Sequence, residues 1–201
     1  MPQTFTLTYS DGRPNTELTV PTSWRDVTTA QYLRLMAGTD TTTPVLCVLT
    51  DLTEADLGKL AATDAVYLNN CLAFAEDQTE LHALTATPGL PDVGAASYGK
   101  LLLSQQYIES IQDDAHGFAA AAYMLALYSL PDDVKEEVLE AEHQGVLGLS
   151  ITETYANLNF IWGRFLSFTQ GTKATPATAL NPTTTKRKPG SRRSGIASVL
   201  S

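Results

Sequence analysis

The chain has 201 residues, 43% of them hydrophobic and 17% charged, enough apolar material for one compact domain or two small ones. Its 13 basic and 22 acidic residues leave a formal charge of −9, which argues against a surface built to coat nucleic acid, because phosphate neutralisation needs cations. Cys47 and Cys71 are too few for a disulfide framework, and no apolar run approaches the ~20 residues of a membrane span. With no charged-then-apolar leader either, the chain is expected to be soluble, intracellular and without membrane contact.

The charge is unevenly placed. Lys173, Lys186, Arg187, Lys188, Arg192 and Arg193 all lie after position 172, where no acid occurs. Residues 1–172 then hold 7 basic and 22 acidic side chains, a body of −15 followed by a segment of +6. Residues 172–201 are Thr, Ala, Pro, Lys and Arg with almost no bulky apolar residue before Ile196, so they are expected to form a disordered basic tail.

In chain order, the first twenty residues predict a β-hairpin. Phe5, Leu7 and Tyr9 alternate with Thr4, Thr6 and Thr8, Asp11-Gly12 marks the turn, and 17–20 return before Pro21. Helices follow. Thr28 is the expected N-cap of the first, ended by Gly38; Thr43-Pro44 opens the second; Thr53 with Asp56 caps the third; Thr63-Asp64 opens the fourth. Leu81 to Thr87 reads as a strand, and 79–96 as a long connection or subdomain boundary. After Ser97, one helix is expected to bury Leu101, Leu102, Gln105, Ile108 and Ile111 on one face, and 118–130 to form a buried helix. Pro131-Asp132-Asp133 is expected to open the next helix, and Ser150 with Glu153 to cap the last, whose aromatic residues from Tyr155 to Phe168 imply burial. The fold class is therefore mainly α (α+β): an N-terminal hairpin packed on a bundle of short and medium helices over 1–171, then the tail.

Chemistry is thinly signalled. Asp113 with His116, and Glu140 with His143, each set a carboxylate and a histidine three apart, and two such pairs on facing helices are one half of a di-metal carboxylate site. Glu109 or Glu137 would have to complete it; otherwise Asp113 and Asp114 cap a helix and His143 is a solvated residue of an acidic one. The sequence has neither a Gly-x-Ser-x-Gly elbow nor a phosphate-binding glycine loop with its lysine, and Cys47 and Cys71 sit in apolar stretches where thiols act as small hydrophobes. Neither catalysis nor a cofactor is expected.

Binding is signalled better. Lys186, Arg187, Lys188, Arg192 and Arg193 suit weak contact with nucleic acid, an acidic partner or the protein's own acidic body, or else serve only solubility. No aromatic residue interleaves with them for base stacking, and Ile196, Val199 and Leu200 beyond them offer an apolar contact. Trp24, after Pro21, is either a partner-binding anchor or the residue that fixes the hairpin against the first helix.

From Val20 to Glu80 the chain resembles a family. Pro21-Thr-Ser-Trp24-Arg-Asp-Val-Thr28-Thr-Ala-Gln31-Tyr32 and Val45-Leu46-Cys-Val48-Leu49-Thr50-Asp-Leu52-Thr-Glu-Ala-Asp-Leu57 are similar to small proteins of tailed-phage structural gene clusters, of the tail assembly chaperone type. Tyr98-Gly99 and Gln105-Gln106-Tyr107-Ile108 extend the likeness. The resemblance implies a mainly helical acidic protein that binds the tape-measure protein in the host cytoplasm before the tail tube forms, and that is absent from the finished particle. It implies no catalytic residues. In some members a disordered extension made by frameshifting recruits tube protein, a part the segment 172–201 would suit. The alternatives are a minor virion component, such as a head–tail connector or packaged protein, and, from another class, a di-metal carboxylate enzyme.

Overall fold

A computed structural model describes residues 2–37, 45–111 and 116–170. Strands β1 (Gln3–Leu7) and β2 (Thr16–Val20) pair antiparallel, with Gln3 opposite Val20 and Leu7 opposite Thr16. This register places Phe5, Leu7, Leu18 and Val20 on the inner face and Thr4, Thr6 and Thr19 outside, as the alternation predicts. Gly12, at φ +76°, takes the left-handed conformation in the connection.

A lone hairpin is marginal in water, so its anchorage matters. The Ala61 amide donates to the Thr8 carbonyl at 3.0 Å, and the Ser10 amide to Lys59 at 2.8 Å. Asp64 accepts from both the amide and the hydroxyl of Thr8, at 2.8 and 2.5 Å. Arg13 reaches across from Asp11 to Asp56, 2.7 Å away.

The described helices of the first half are α1 (Thr29–Ala37), α2 (Val45–Thr50), α3 (Glu54–Leu57), α4 (Ala62–Cys71) and α5 (Thr79–His82). Thr28 and Gln31 cap α1 reciprocally: the Gln31 amide donates to the Thr28 hydroxyl, and the Thr28 amide to the Gln31 side chain. Thr53 and Asp56 do the same for α3. The expected stop at Gly38 and start at Thr43-Pro44 lie outside the described residues.

The strand expected at Leu81 to Thr87 is not formed. Asp77 accepts the Thr79 amide at 2.8 Å and starts α5 instead, which drops Leu81 into the core. The coil beyond is tied to the last helix by Asn157, which accepts the Thr87 amide at 2.8 Å and takes the place of a ladder partner. A 3-10 turn at Val93–Ala95 packs on that same helix and buries Val93, so residues 79–96 contribute to the same core as the hairpin.

Helices α6 (Tyr98–Ser110), α7 (His116–Ser129), α8 (Glu136–Gly148) and α9 (Ile151–Gln170) make the second half. α7 is the axis, packed against α6, α8 and α9. Its alanines, Ala120, Ala121, Ala122 and Ala126, are fully buried and let its neighbours approach closely. α9 buries Ile151, Tyr155, Leu158, Ile161, Trp162 and Phe165, the i, i+3, i+4, i+7 spacing of a core-facing stripe.

Three expectations for these helices are corrected. α6 packs Leu101, Ile108 and Ile111 on the core as expected but turns Lys100 and Ser104 inward and leaves Leu102, Leu103 and Gln105 exposed, because polar groups on α7 and in the turn after it reward the polar face: Ser104 bonds the Tyr128 hydroxyl at 2.9 Å, and Lys100 donates to the Leu130 carbonyl and lies 3.3 Å from Asp132. Asp132 is thereby used as a partner of Lys100, and α8 begins later, with Glu136 and Glu137 in its first turn. The Ser150 hydroxyl donates to Arg25 and accepts from the Thr152 amide, so the box with Glu153 is replaced by a tie to the start of the chain.

That tie is part of a seam. The Thr29 amide donates to the Leu149 carbonyl and the Ile151 amide to Val27, both at 2.8 Å, with Thr28 bridged to Ser150. The chain is mainly helical around one core, and among the described residues no helix is long and apolar enough to cross a membrane.

Candidate binding surfaces

Trp24 is not a surface anchor. It is 2% exposed, its indole N–H donates to the Asp77 carbonyl at 2.8 Å, and its ring meets Tyr32 and Phe74 edge-on. A tryptophan satisfied at both its apolar body and its N–H pins the hairpin exit to α1 and to the turn before α5. Lys186, Arg187, Lys188, Arg192 and Arg193 lie outside the described residues.

Asp113 is outside the described residues, while His143 is 6% exposed and buried, contrary to the solvated residue expected. Its ring stands edge-on to Tyr107 of α6 and Tyr123 of α7, which are themselves stacked at 4.0 Å. Burial pushes the His143 pKa below the usual imidazole value, with Glu140 pulling weakly the other way. The Glu140 carboxylate accepts the Gln144 amide at 2.8 Å. Among the described residues no three His, Cys, Asp or Glu side chains gather around a common point. Cys47 is buried, and burial raises its thiol above the ordinary range, followed by the charges of Glu54 and Asp56, so the reactive thiolate is disfavoured.

Two helix faces stand out instead. The outer face of α6 presents Tyr98, 77% exposed, with Leu102 one turn on and Leu103 beside it. The inner face of that helix is locked by Lys100 and Ser104, so the three apolar side chains are held outward by the fold. The outer face of α8 is different in kind. Glu136, Glu137, Glu140 and Glu142 are exposed, as are Val138 and Leu149, while Leu139, His143 and Val146 take the inner side. A shallow cleft of about 390 Å³, lined by Val45, Leu46, Leu72 and Ala75 with Asn69 and Glu76 at its polar edge, lies between α2 and the turn after α4.

No protein-family model, curated protein or solved structure matches the chain. The surfaces themselves must carry the functional argument. The α6 face escapes sequence reasoning because Leu101, Leu102 and Ile108 look like one apolar stripe until the partners of Lys100 and Ser104 are known. Lys100 and Ser104 fall one turn apart, which is the signal that a polar stripe competes for the inner face.

Proposed function

We propose that the chain is a binding protein of tailed-phage assembly, of the tail assembly chaperone type, which holds the tape-measure protein or another phage structural protein in the host cytoplasm while the tail is built. Its action is non-catalytic shielding. The observation that carries the reading is the α6 face of Tyr98, Leu102 and Leu103, apolar side chains kept in solvent by a helix whose other side is fixed. Such a face suits an amphipathic helix of a long helical client, and the acidic body around it keeps the complex soluble. The likeness of residues 20–80 to that family supports the same reading, although in this fold those residues supply packing and the α6 face lies beyond them.

The test is affinity capture of the tagged full chain from producing cells, beside mass spectrometry of purified particles. A long helix-rich phage protein in the capture, absent when Tyr98, Leu102 and Leu103 are changed to glutamate, is the expected result. Retention of the chain in particles at fixed stoichiometry would overturn the chaperone reading in favour of a virion component.

A further inference from the structure

The body's cations are largely committed. Arg13 pairs with Asp11 and Asp56, Arg25 with Glu80, Arg34 with Asp51, Lys59 with Asp11 and Lys100 with Asp132, while Arg164 lies over the Phe160 ring. None of these reaches α8, and Lys135, the exposed N-cap of that helix, makes no salt bridge among the described residues. Glu136, Glu137, Glu140 and Glu142 therefore stand along one short helix with no salt bridge among the described residues. Beside them the face turns apolar and small: Val138 and Leu149 are exposed, and a Cβ built on Gly145 or Gly148 meets nothing within 4 Å. Glycine inside a helix costs stability and here gains no packing within the body, so the face has room for another backbone to lie close.

The same sequence holds a segment of complementary order. Lys186, Arg187, Lys188, Arg192 and Arg193 come first, with no acid after Glu153 to compete for them, and Ile196, Val199 and Leu200 follow. Its charges match the glutamates of the N-terminal half of α8, and its apolar end matches Gly145 and Leu149 of the other half. Reach permits the contact: α8 and α9 both pack on α7, and the sixteen peptide links from Gln170 to Lys186 span up to ~50 Å, more than the ~40 Å width of a body this size. Covalent attachment gives the segment a high effective concentration at any matching face.

We propose that the outer face of α8 is the docking surface for the chain's own segment 186–200, with the arginines and lysines on Glu136, Glu137, Glu140 and Glu142 and the apolar end over Gly145 and Leu149. This does not rest on the phage reading and holds whatever the client is.

The test is zero-length carbodiimide cross-linking of the full chain at low concentration, with tryptic mapping of the monomer band. The expected result is amide links from Lys186 and Lys188 to Glu136, Glu137, Glu140 or Glu142 in the monomer, lost at high salt. The links should also be lost in E136Q/E137Q/E140Q/E142Q. In R187S/R192S/R193S, which leaves both lysines and the whole body intact, their yield should fall. Links spread evenly over Glu17, Glu54, Glu76 and Glu109, no links at all, or links confined to a dimer band would each overturn the proposal, the last in favour of a second copy as occupant.

Discussion

The hydroxyls of Thr29 and Thr154 lie 2.6 Å apart in the buried core, joining α1 to α9 across 125 positions of sequence. Thr29 also bonds the Leu149 carbonyl at 3.1 Å, and Thr154 the Ser150 carbonyl at 3.3 Å. Two hydroxyl protons thus serve three contacts, so one threonine donates to the other while its partner donates to a carbonyl. The pair sits on the seam where Thr29 and Ile151 exchange backbone bonds with Leu149 and Val27. Neither half of the chain completes this seam alone.

Removing one member leaves the other only its longer carbonyl contact in the core. Thr29→Val and Thr154→Val are each expected to cost about 1–2 kcal/mol, the range for a buried polar group that loses its partner. The double variant should cost clearly less than the two together, because the bond the hydroxyls share is lost in either single variant and can be lost only once. Urea midpoints of the four proteins of this cycle measure the coupling; simple additivity would show that the two hydroxyls do not act as a pair.

His143 gives the fold a dependence on mild acid. Its folded pKa lies below the ordinary value because the ring is buried against Tyr107 and Tyr123, with the Glu140 carboxylate of its own helix pulling the other way. In the unfolded chain it titrates near 6.5. As pH falls below that value the unfolded state binds a proton that the native state refuses, so stability drops, by at most about 1.4 kcal/mol per pH unit, until the folded pKa is reached. Asp56, held low by the Thr53 hydroxyl and then by Arg13, and Asp64, held low by Thr8, contribute stability above the ordinary carboxylate range and lose it only at lower pH. His143→Phe should therefore flatten the loss between about pH 7 and pH 5 while leaving the more acidic limb in place. Thermal midpoints across that range decide it, and an equally steep loss in the variant would sink the assignment.

How far the sequence was legible follows from where each signal is local. Thr28 and Thr53 announce their helices because a cap and its partner lie three residues apart, and the threonine alternation of β1 shows which face is wet. Leu81 misleads because a short apolar run flanked by turn residues fits strand and helix alike, and the Asp77 bond to the Thr79 amide is what selects helix. Trp24 resolves only through Asp77, far along the chain. The two surface faces are the least legible: which side of α6 is buried depends on Tyr128 and Leu130, and which residues of α8 are exposed depends on how that helix packs on α7.

Gly145 supplies a check on the outer face of α8 that needs no partner. It lies inside the helix, and an added Cβ meets nothing within 4 Å. At high salt, which releases a docked segment 186–200, Gly145→Ala is expected to raise stability by about 0.5–1 kcal/mol through its better helix propensity and smaller unfolded-state entropy, and at low salt the gain should shrink or reverse. An equal gain at low and high salt in the denaturation curves would mean that nothing lies over Gly145 in the intact chain.

The α6 face separates folding from binding more sharply. Tyr98 opens the helix and is 77% exposed, and Leu102 and Leu103 point away from α7. Glutamate is a good helix former, and at position 98 a negative charge lies in the first turn, where the helix dipole favours it. Each substitution to glutamate is thus expected to change stability by no more than about 0.5 kcal/mol, as for other exposed positions without partners. Binding responds differently. An interface that buries these three side chains would leave three carboxylates desolvated and unpaired, and Tyr98, the largest and most exposed, should weaken client capture by about 2 kcal/mol or more on its own, the scale of an interface hot spot. Circular dichroism and urea midpoints unchanged, with capture lost, is the expected combination. Unchanged capture by the triple variant would remove α6 as the client face and leave the fold description untouched.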